Sequence, residues 1–179
     1  MKRKNISIKE KIREYFFINP MSKLRVREVE KTLKLPLPSV IRYCKELVEE
    51  GILITIKTGN VVFYTADKTN HNFLLEKKIF NIKSLHTSGL VEFLRIELSN
   101  PSIIVFGSYA KGEDIEKSDI DLYIETPSKK EINLTEFEKK LKRKIQLFKH
   151  NDIREIKNKD LINNIINGIS LNGFVEVLK

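Results

Sequence analysis

Cysteine is nearly absent from this 179-residue chain. Cys44 stands alone, so an internal disulfide is impossible and a thiolate metal cluster is excluded. Histidine is scarce as well: His71, His86 and His150 are scattered and form no ligand cluster. No run approaches the ~20 apolar residues that a membrane helix needs, so no membrane partner is expected. The start, Met1-Lys2-Arg3-Lys4, is basic, but no apolar signal core follows it, and the expectation is a cytoplasmic protein. The length suits one medium domain or two small ones, and a hydrophobic content of 41% is enough for ordinary cores.

Charge is abundant, and its distribution says more than the net +9. Residues 1–70 hold 15 Lys and Arg against 8 Asp and Glu, a balance of +7, whereas residues 71–179 hold 18 against 16, a balance of +2. The basic excess therefore lies in the first two fifths of the chain. It points to an anionic partner there, with nucleic acid the first candidate and a simply basic, soluble domain the bland alternative.

Hydrophobic spacing gives the local organisation. Ile8, Ile12, Tyr15 and Phe16 recur at helical intervals over Ser7 to Phe17, and Asn19-Pro20 ends that helix. Val26, Val29 and Leu33 mark a second helix from Arg25. Pro36 and Pro38 break the chain, Ser39 is placed to cap a third helix, and Gly51 is a natural stop after Glu50. The apolar face of this third helix reads Val40, Ile41, Cys44, Leu47 and Val48, with Ser39, Arg42, Tyr43 and Glu46 opposite. Beyond Gly51 the period falls to two. Ile52, Ile54 and Ile56 make a strand, Lys57 to Asn60 a turn, and Val61 to Thr65 a second strand.

Three helices followed by a β-hairpin resembles the winged-helix family over roughly residues 6–66. That resemblance implies that the third helix enters the major groove of double-stranded DNA while the hairpin touches its backbone. Arg42, Tyr43 and Lys45 would then face bases or phosphates, with Ser39 on the same polar face. Arg25, Arg27 and Lys57 would contact phosphate. The alternatives are a solvated helix face and a protein-docking module, and a homodimer is the default assembly. Residues 68–86 start polar and turn amphipathic through Phe73, Leu74, Ile79, Phe80, Ile82 and Leu85, a connecting segment too apolar for a free linker.

The chemistry lies in the second half. Leu90, Phe93, Leu94 and Leu98 indicate a helix over Thr87 to Leu98. Ile103 to Phe106 is a buried-strand pattern that delivers the chain to Gly107-Ser108. Further on comes Ser118-Asp119-Ile120-Asp121-Leu122-Tyr123-Ile124-Glu125. Alternate strand residues share a face, so Asp119 and Asp121 point together. Two ionised carboxylates converging to about 5 Å repel by about 3 kcal/mol at an effective dielectric of 20, a cost that a hard divalent ion such as Mg²⁺ removes. Gly107 permits close backbone approach, and Ser108 opens a helical turn whose free N–H groups suit a phosphate.

The stretch GSYAKGE…SDIDLYIE resembles the signature of the polymerase-beta-type nucleotidyltransferase superfamily, especially its minimal prokaryotic members, over residues 86–179. The resemblance implies a mixed sheet with helices, an α+β fold overall, with domains at 1–67 and 87–179 and the connecting segment 68–86 between. It implies that Asp119 and Asp121 are the catalytic metal ligands. Gly107 and Ser108 would bind the triphosphate of ATP or another nucleotide, with Lys111 neutralising phosphate charge. The reaction would be Mg²⁺-dependent nucleotidyl transfer, with AMP from ATP the first choice, or nucleotide binding without turnover in a DNA-binding transcriptional regulator. A HEPN-type toxin partner is a further implication. The superfamily also places a third carboxylate on a later strand. Here Thr135 and Glu138 form a capping box for a helix to Arg143, Lys144 to Phe148 is the following strand, and the equivalent position is Gln146. An amide is a weak metal ligand and cannot act as a base. Glu125 and Asp152 are the other carboxylates that could replace it. Leu161, Ile162, Ile165 and Ile166 mark a last helix, and Phe174 to Val177 a closing strand.

Overall fold

The computed structural model describes residues 6–177; the basic residues 1–4 lie outside this range. The chain is α+β and divides into two compact units, Met1–Lys77 and Lys78–Lys179. Among the described residues, no helix is long and apolar enough to cross a membrane.

The first unit begins with helix α1 (Ile8–Ile18), capped by Ser7, whose Oγ accepts from the Glu10 N–H at 3.2 Å. It buries Ile12, Phe16 and Phe17. Helix α2 (Val26–Leu33) is entered at Arg25, whose N–H donates to the Glu28 carboxylate at 2.8 Å. Helix α3 (Leu37–Glu49) starts two residues before Ser39, because Pro38 sits in the first turn with its φ already helical; Pro36, not Ser39, is the cap residue. Val40, Cys44 and Leu47 form its buried stripe, while Ile41 falls off that stripe and is 38% exposed. Burial pushes the Cys44 thiol up to about 12. Gly51 ends the helix with φ +69°, and a Cβ there would strike the Asn70 side chain.

Strands β1 (Leu53–Thr58) and β2 (Val61–Ala66) pair antiparallel from Leu53↔Ala66 to Thr58↔Val61, leaving Gly59-Asn60 as a two-residue turn. Leu24, between α1 and α2, exchanges both backbone hydrogen bonds with Tyr64 (3.0 and 2.8 Å) and so adds a single antiparallel bridge to β2 of the hairpin. The segment read as a connector is largely one helix, α4 (His71–Thr87). Phe73 near its start meets Phe17 edge-on, with centroids 5.5 Å apart.

The second unit continues with α5 (Leu90–Glu97), entered at Gly89 and not at Thr87 because Gly89 takes a left-handed conformation, φ +85°. Strand β3 (Ser102–Phe106) leads into the five-residue helix α6 (Gly107–Lys111). Strand β4 (Ile120–Glu125), α7 (Thr135–Leu141), β5 (Ile145–His150), a 3-10 turn (Ile153–Glu155), α8 (Lys159–Ile166) and β6 (Ile169–Asn172) complete the unit. The sheet runs β5-β4-β3-β6, with β4 and β5 parallel and the other pairs antiparallel. The closing strand is thus Ile169–Asn172; Phe174 to Val177 is not a strand.

Alternation along β3 and β4 gives the sheet two buried faces. Ile103, Val105, Ile120, Leu122 and Ile124 join Leu90 and Leu94 in one core. Ile104, Phe106 and Tyr123 join Ile153, Ile156 and Ile165 in the other. The Thr135–Glu138 capping box does not form. Leu134 is the cap residue, and the Glu138 carboxylate instead accepts from the Ile145 N–H (3.1 Å) and Lys144 Nζ (2.9 Å), holding the start of β5.

Candidate active site

The site is built where β3 ends beside the start of β4. Phe106 pairs with Asp121, so the next residue, Gly107, falls against the Asp121 side chain. Gly107 has φ +70°, and a Cβ built on it would run into Asp121 Oδ2. Backbone conformation and space therefore both require glycine here. Ser108 and Lys111 follow on α6, half-buried and exposed respectively.

Asp119 lies one residue before β4 begins, in the segment leading into the strand. It is exposed, whereas Asp121 is half-buried. The two remain electrostatically coupled: burial first, and then the charge of Asp119, hold the Asp121 carboxyl above its ordinary range. Asp121 is thus a partly dehydrated carboxylate beside a second one, and its ionised form is disfavoured unless a cation is present.

Gln146 lies on β5, the strand that follows α7. In the parallel β4–β5 ladder Gln146 is the direct partner of Asp121, so the two side chains share a face of the sheet. The residue beside the aspartates is an amide. Neither alternative acid takes that place. Glu125 is four residues along β4, about 13 Å at the usual strand rise, and accepts from Tyr123 Oη (3.1 Å) and the Ile153 N–H (2.9 Å). Asp152 caps the 3-10 turn and pairs with Arg154. Among the described residues, no three or more His, Cys, Asp and Glu side chains group to hold a metal. Two carboxylates and an amide are oxygen donors, the kind of ligand a hard divalent ion takes.

The loop from α6 to Asp119 is fixed from behind by groups that carried no sequence signal. Asp114 and Arg143, with side chains 1% and 4% exposed, pair at 3.2 Å. Asn81 of α4 donates to Asp114 Oδ1 (2.7 Å) and to the Tyr109 carbonyl (2.9 Å). Ser118 closes the loop with two bonds to Ile115, its N–H donating to the carbonyl and its Oγ accepting from the N–H, each at 3.0 Å. Asp119 is the next residue.

In the first unit, the residues expected at DNA are exposed or half-exposed, though several have protein partners. Arg25 pairs with Glu28 at 2.8 Å, and this partner raises its pKa. Arg42 lies over the Tyr43 ring (4.3 Å) and within 3.7 Å of Glu46. Arg27, Lys45 and Lys57 are exposed, and Ser39 is half-buried. A cavity of about 470 Å³ brings Arg25, Arg27 and Lys31 of the α2 region together with Asn60, Val61 and Val62 of the hairpin.

Residues 88–169 match the family model for the nucleotidyltransferase domain, a span that contains Gly107-Ser108, Asp119, Asp121 and Gln146. No curated protein and no solved structure matches the chain. The family match supports a nucleotidyl-transfer-type protein and falls on the unit that holds the site.

Proposed function

We propose that the second unit binds Mg²⁺ and a nucleoside triphosphate and transfers a nucleotidyl group, with AMP from ATP the first choice. The observation that carries this reading is the contact between Gly107 and Asp121. It joins the turn suited to phosphates to a carboxylate whose charge calls for a cation. In this reading Asp119 and Asp121 hold the metal, Gly107 and Ser108 receive the triphosphate, and Lys111 offsets phosphate charge. The ion would supply Lewis-acid stabilisation of charge on the phosphates. The acceptor oxygen bonds to the α-phosphorus and the bond to the bridging oxygen breaks. Pyrophosphate leaves with the electron pair, and the acceptor proton passes to water.

Gln146 favours a second reading, in which the site holds nucleotide or a protein partner with slow turnover or none. If the third carboxylate serves as base, its loss removes roughly 10²–10⁴ in rate while leaving nucleotide affinity largely in place. The first unit supports a regulator: its element order, with Leu24 paired to the hairpin at Tyr64, suits a winged helix that grips duplex DNA through α3 and the hairpin. A homodimer on DNA is the default assembly for that reading; pairing with a HEPN-type toxin would be a third, antitoxin-like role.

Calorimetric titration of Mg·ATP into the wild type and into Asp119→Ala/Asp121→Ala tests the site. Binding that disappears in the double variant supports it; a folded wild type that takes up no Mg·ATP sinks it. Duplex DNA affinity of the full chain, followed from 50 to 200 mM salt, tests the other half. Phosphate contacts require a steep fall, and a flat response rules them out.

A further inference from the structure

Three segments carry most of the site: α6 with Gly107 and Ser108, the loop that ends at Asp119, and the turn into β5 with Gln146. One buried polar cluster bonds to all three. Asn81 of α4, 2% exposed, donates twice from its amide, to the Tyr109 carbonyl of α6 (2.9 Å) and to Asp114 Oδ1 (2.7 Å). Asp114 Oδ2 accepts from Arg143 Nη2 (3.2 Å), and Arg143 Nη1 donates to the Lys142 carbonyl (3.0 Å) just before β5. Asn81 precedes the span 88–169 that matches the family model, so this anchor comes from outside the matched domain.

From each anchor the path to a site residue is short. Tyr109 follows Ser108 directly. Beyond Asp114, the two Ile115–Ser118 bonds close the loop, and Asp119 is next. Beyond Arg143, the Lys144 carbonyl accepts from the Ile120 N–H (2.8 Å), which ties the start of β5 to the residue between the two aspartates. A buried ion pair adds little stability over well-packed apolar side chains of similar volume. Asparagine inside a helix is also a poorer helix former than alanine or leucine. Stability alone therefore does not account for Asn81, Asp114 and Arg143 at these positions. A binding constellation must be held to about 0.5 Å, and a cluster that fixes three segments at once meets that demand.

We propose that Asn81, together with the Asp114–Arg143 pair, is a positioning residue of the nucleotide and metal site, setting the Gly107 turn, Asp119 and Gln146 at the spacing that Mg·ATP needs. This role rests on the nucleotidyl-transfer reading and adds α4 to the machinery of the second unit. Asn81, Asp114 and Arg143 touch neither metal nor nucleotide in it; each acts through α6, Asp119 or Gln146.

The test is calorimetric titration of Mg·ATP into the full chain, with each variant held well below its own Tm. Asn81→Leu keeps a branched side chain of similar shape and removes both donated bonds. Asp114→Leu/Arg143→Met replaces the buried pair by apolar side chains. Leu85→Ala is the control, because Leu85 is fully buried one turn further along α4 and takes part in neither bond. Removing a partner that orients a metal ligand costs roughly 10–100-fold in affinity or activity. That weakening is expected for Asn81→Leu and for the folded double variant, whereas Leu85→Ala should lower Tm and bind Mg·ATP like the wild type. Folded Asn81 and Asp114/Arg143 variants that bind like the wild type make the cluster purely structural and overturn the role. So does a Leu85→Ala protein that loses affinity as the others do, since loosening α4 would then suffice. Should Asn81→Leu not fold, the shorter Asn81→Ser takes its place in the titration. A wild type that takes up no Mg·ATP removes the nucleotidyl-transfer reading and this role with it.

Discussion

Replacing Gln146 by Asp places a third carboxylate directly across the parallel ladder from Asp121. Adjacent strands lie about 4.8 Å apart. Two full charges at that separation repel by about 3 kcal/mol at an effective dielectric of 20. Gln146 and Asp119 are exposed, so solvent reduces the sum to about 1 kcal/mol. For a unit of this size that is a fall of about 4–8 °C in Tm. In chelator, Gln146→Asp should therefore melt below the wild type, and Gln146→Leu should not. Millimolar Mg²⁺ should restore the Asp variant by more than it shifts the wild type, because the added acid makes a better cation site and ligand binding stabilises the folded state. The same protein, given ATP labelled in the α-phosphate and an acceptor, should transfer label faster, by up to roughly 10²–10⁴ if the missing acid is the base. Differential scanning fluorimetry reads the first effect and label transfer the second. A Gln146→Asp protein that melts like the wild type in chelator and ignores Mg²⁺ would show that position 146 does not face the aspartates, and the argument about the third acid would fall with it.

Three other perturbations follow from the site. Because the folded-state pKa of Asp121 is raised, its ionised form costs stability at neutral pH, and that cost is relieved as pH falls through the folded pKa. Asp121→Asn should therefore raise the neutral-pH Tm and flatten its acid-side dependence while abolishing Mg·ATP binding; a lower neutral-pH Tm contradicts the coupling. Gly107→Ala should cost about 1–3 kcal/mol from the strained left-handed backbone alone and lose nucleotide, since its methyl displaces Asp121; unchanged urea unfolding and binding would refute this. Asp114→Ala should cost about 3–5 kcal/mol by breaking the buried ion pair with Arg143, with Arg143→Met/Asp114→Leu recovering most of the loss in the same unfolding assay.

The parts of the fold that were legible in the sequence rest on local periodicity. Val40, Cys44 and Leu47 recur at helical spacing and are the residues that α3 buries. The Ile103–Phe106 run became β3 and the Lys144–Phe148 run became β5, but the pairing of Gln146 with Asp121 is visible only in the folded sheet. Errors arose where a tertiary partner outbid a local one. Glu138 fits a capping box with Thr135, yet it bonds the start of β5, a contact that local spacing does not reveal. Ile41 is apolar and next to a buried position, but one helical step of about 100° turns it to solvent. Asp114 and Arg143 stand 29 residues apart in charged stretches, and only the folded chain makes them a buried pair.

Cys44 has a practical consequence. It is the chain's only thiol, fully buried in α3, and its pKa of about 12 keeps it protonated and unreactive at ordinary pH. The natural protein is therefore already a blank background for sulfhydryl chemistry. A single cysteine introduced at exposed Thr58, beside the hairpin turn and not among the expected contacts, would be the one group that a maleimide dye or spin label finds. Occupancy of the hairpin could then be followed in solution with no need to remove a native cysteine first.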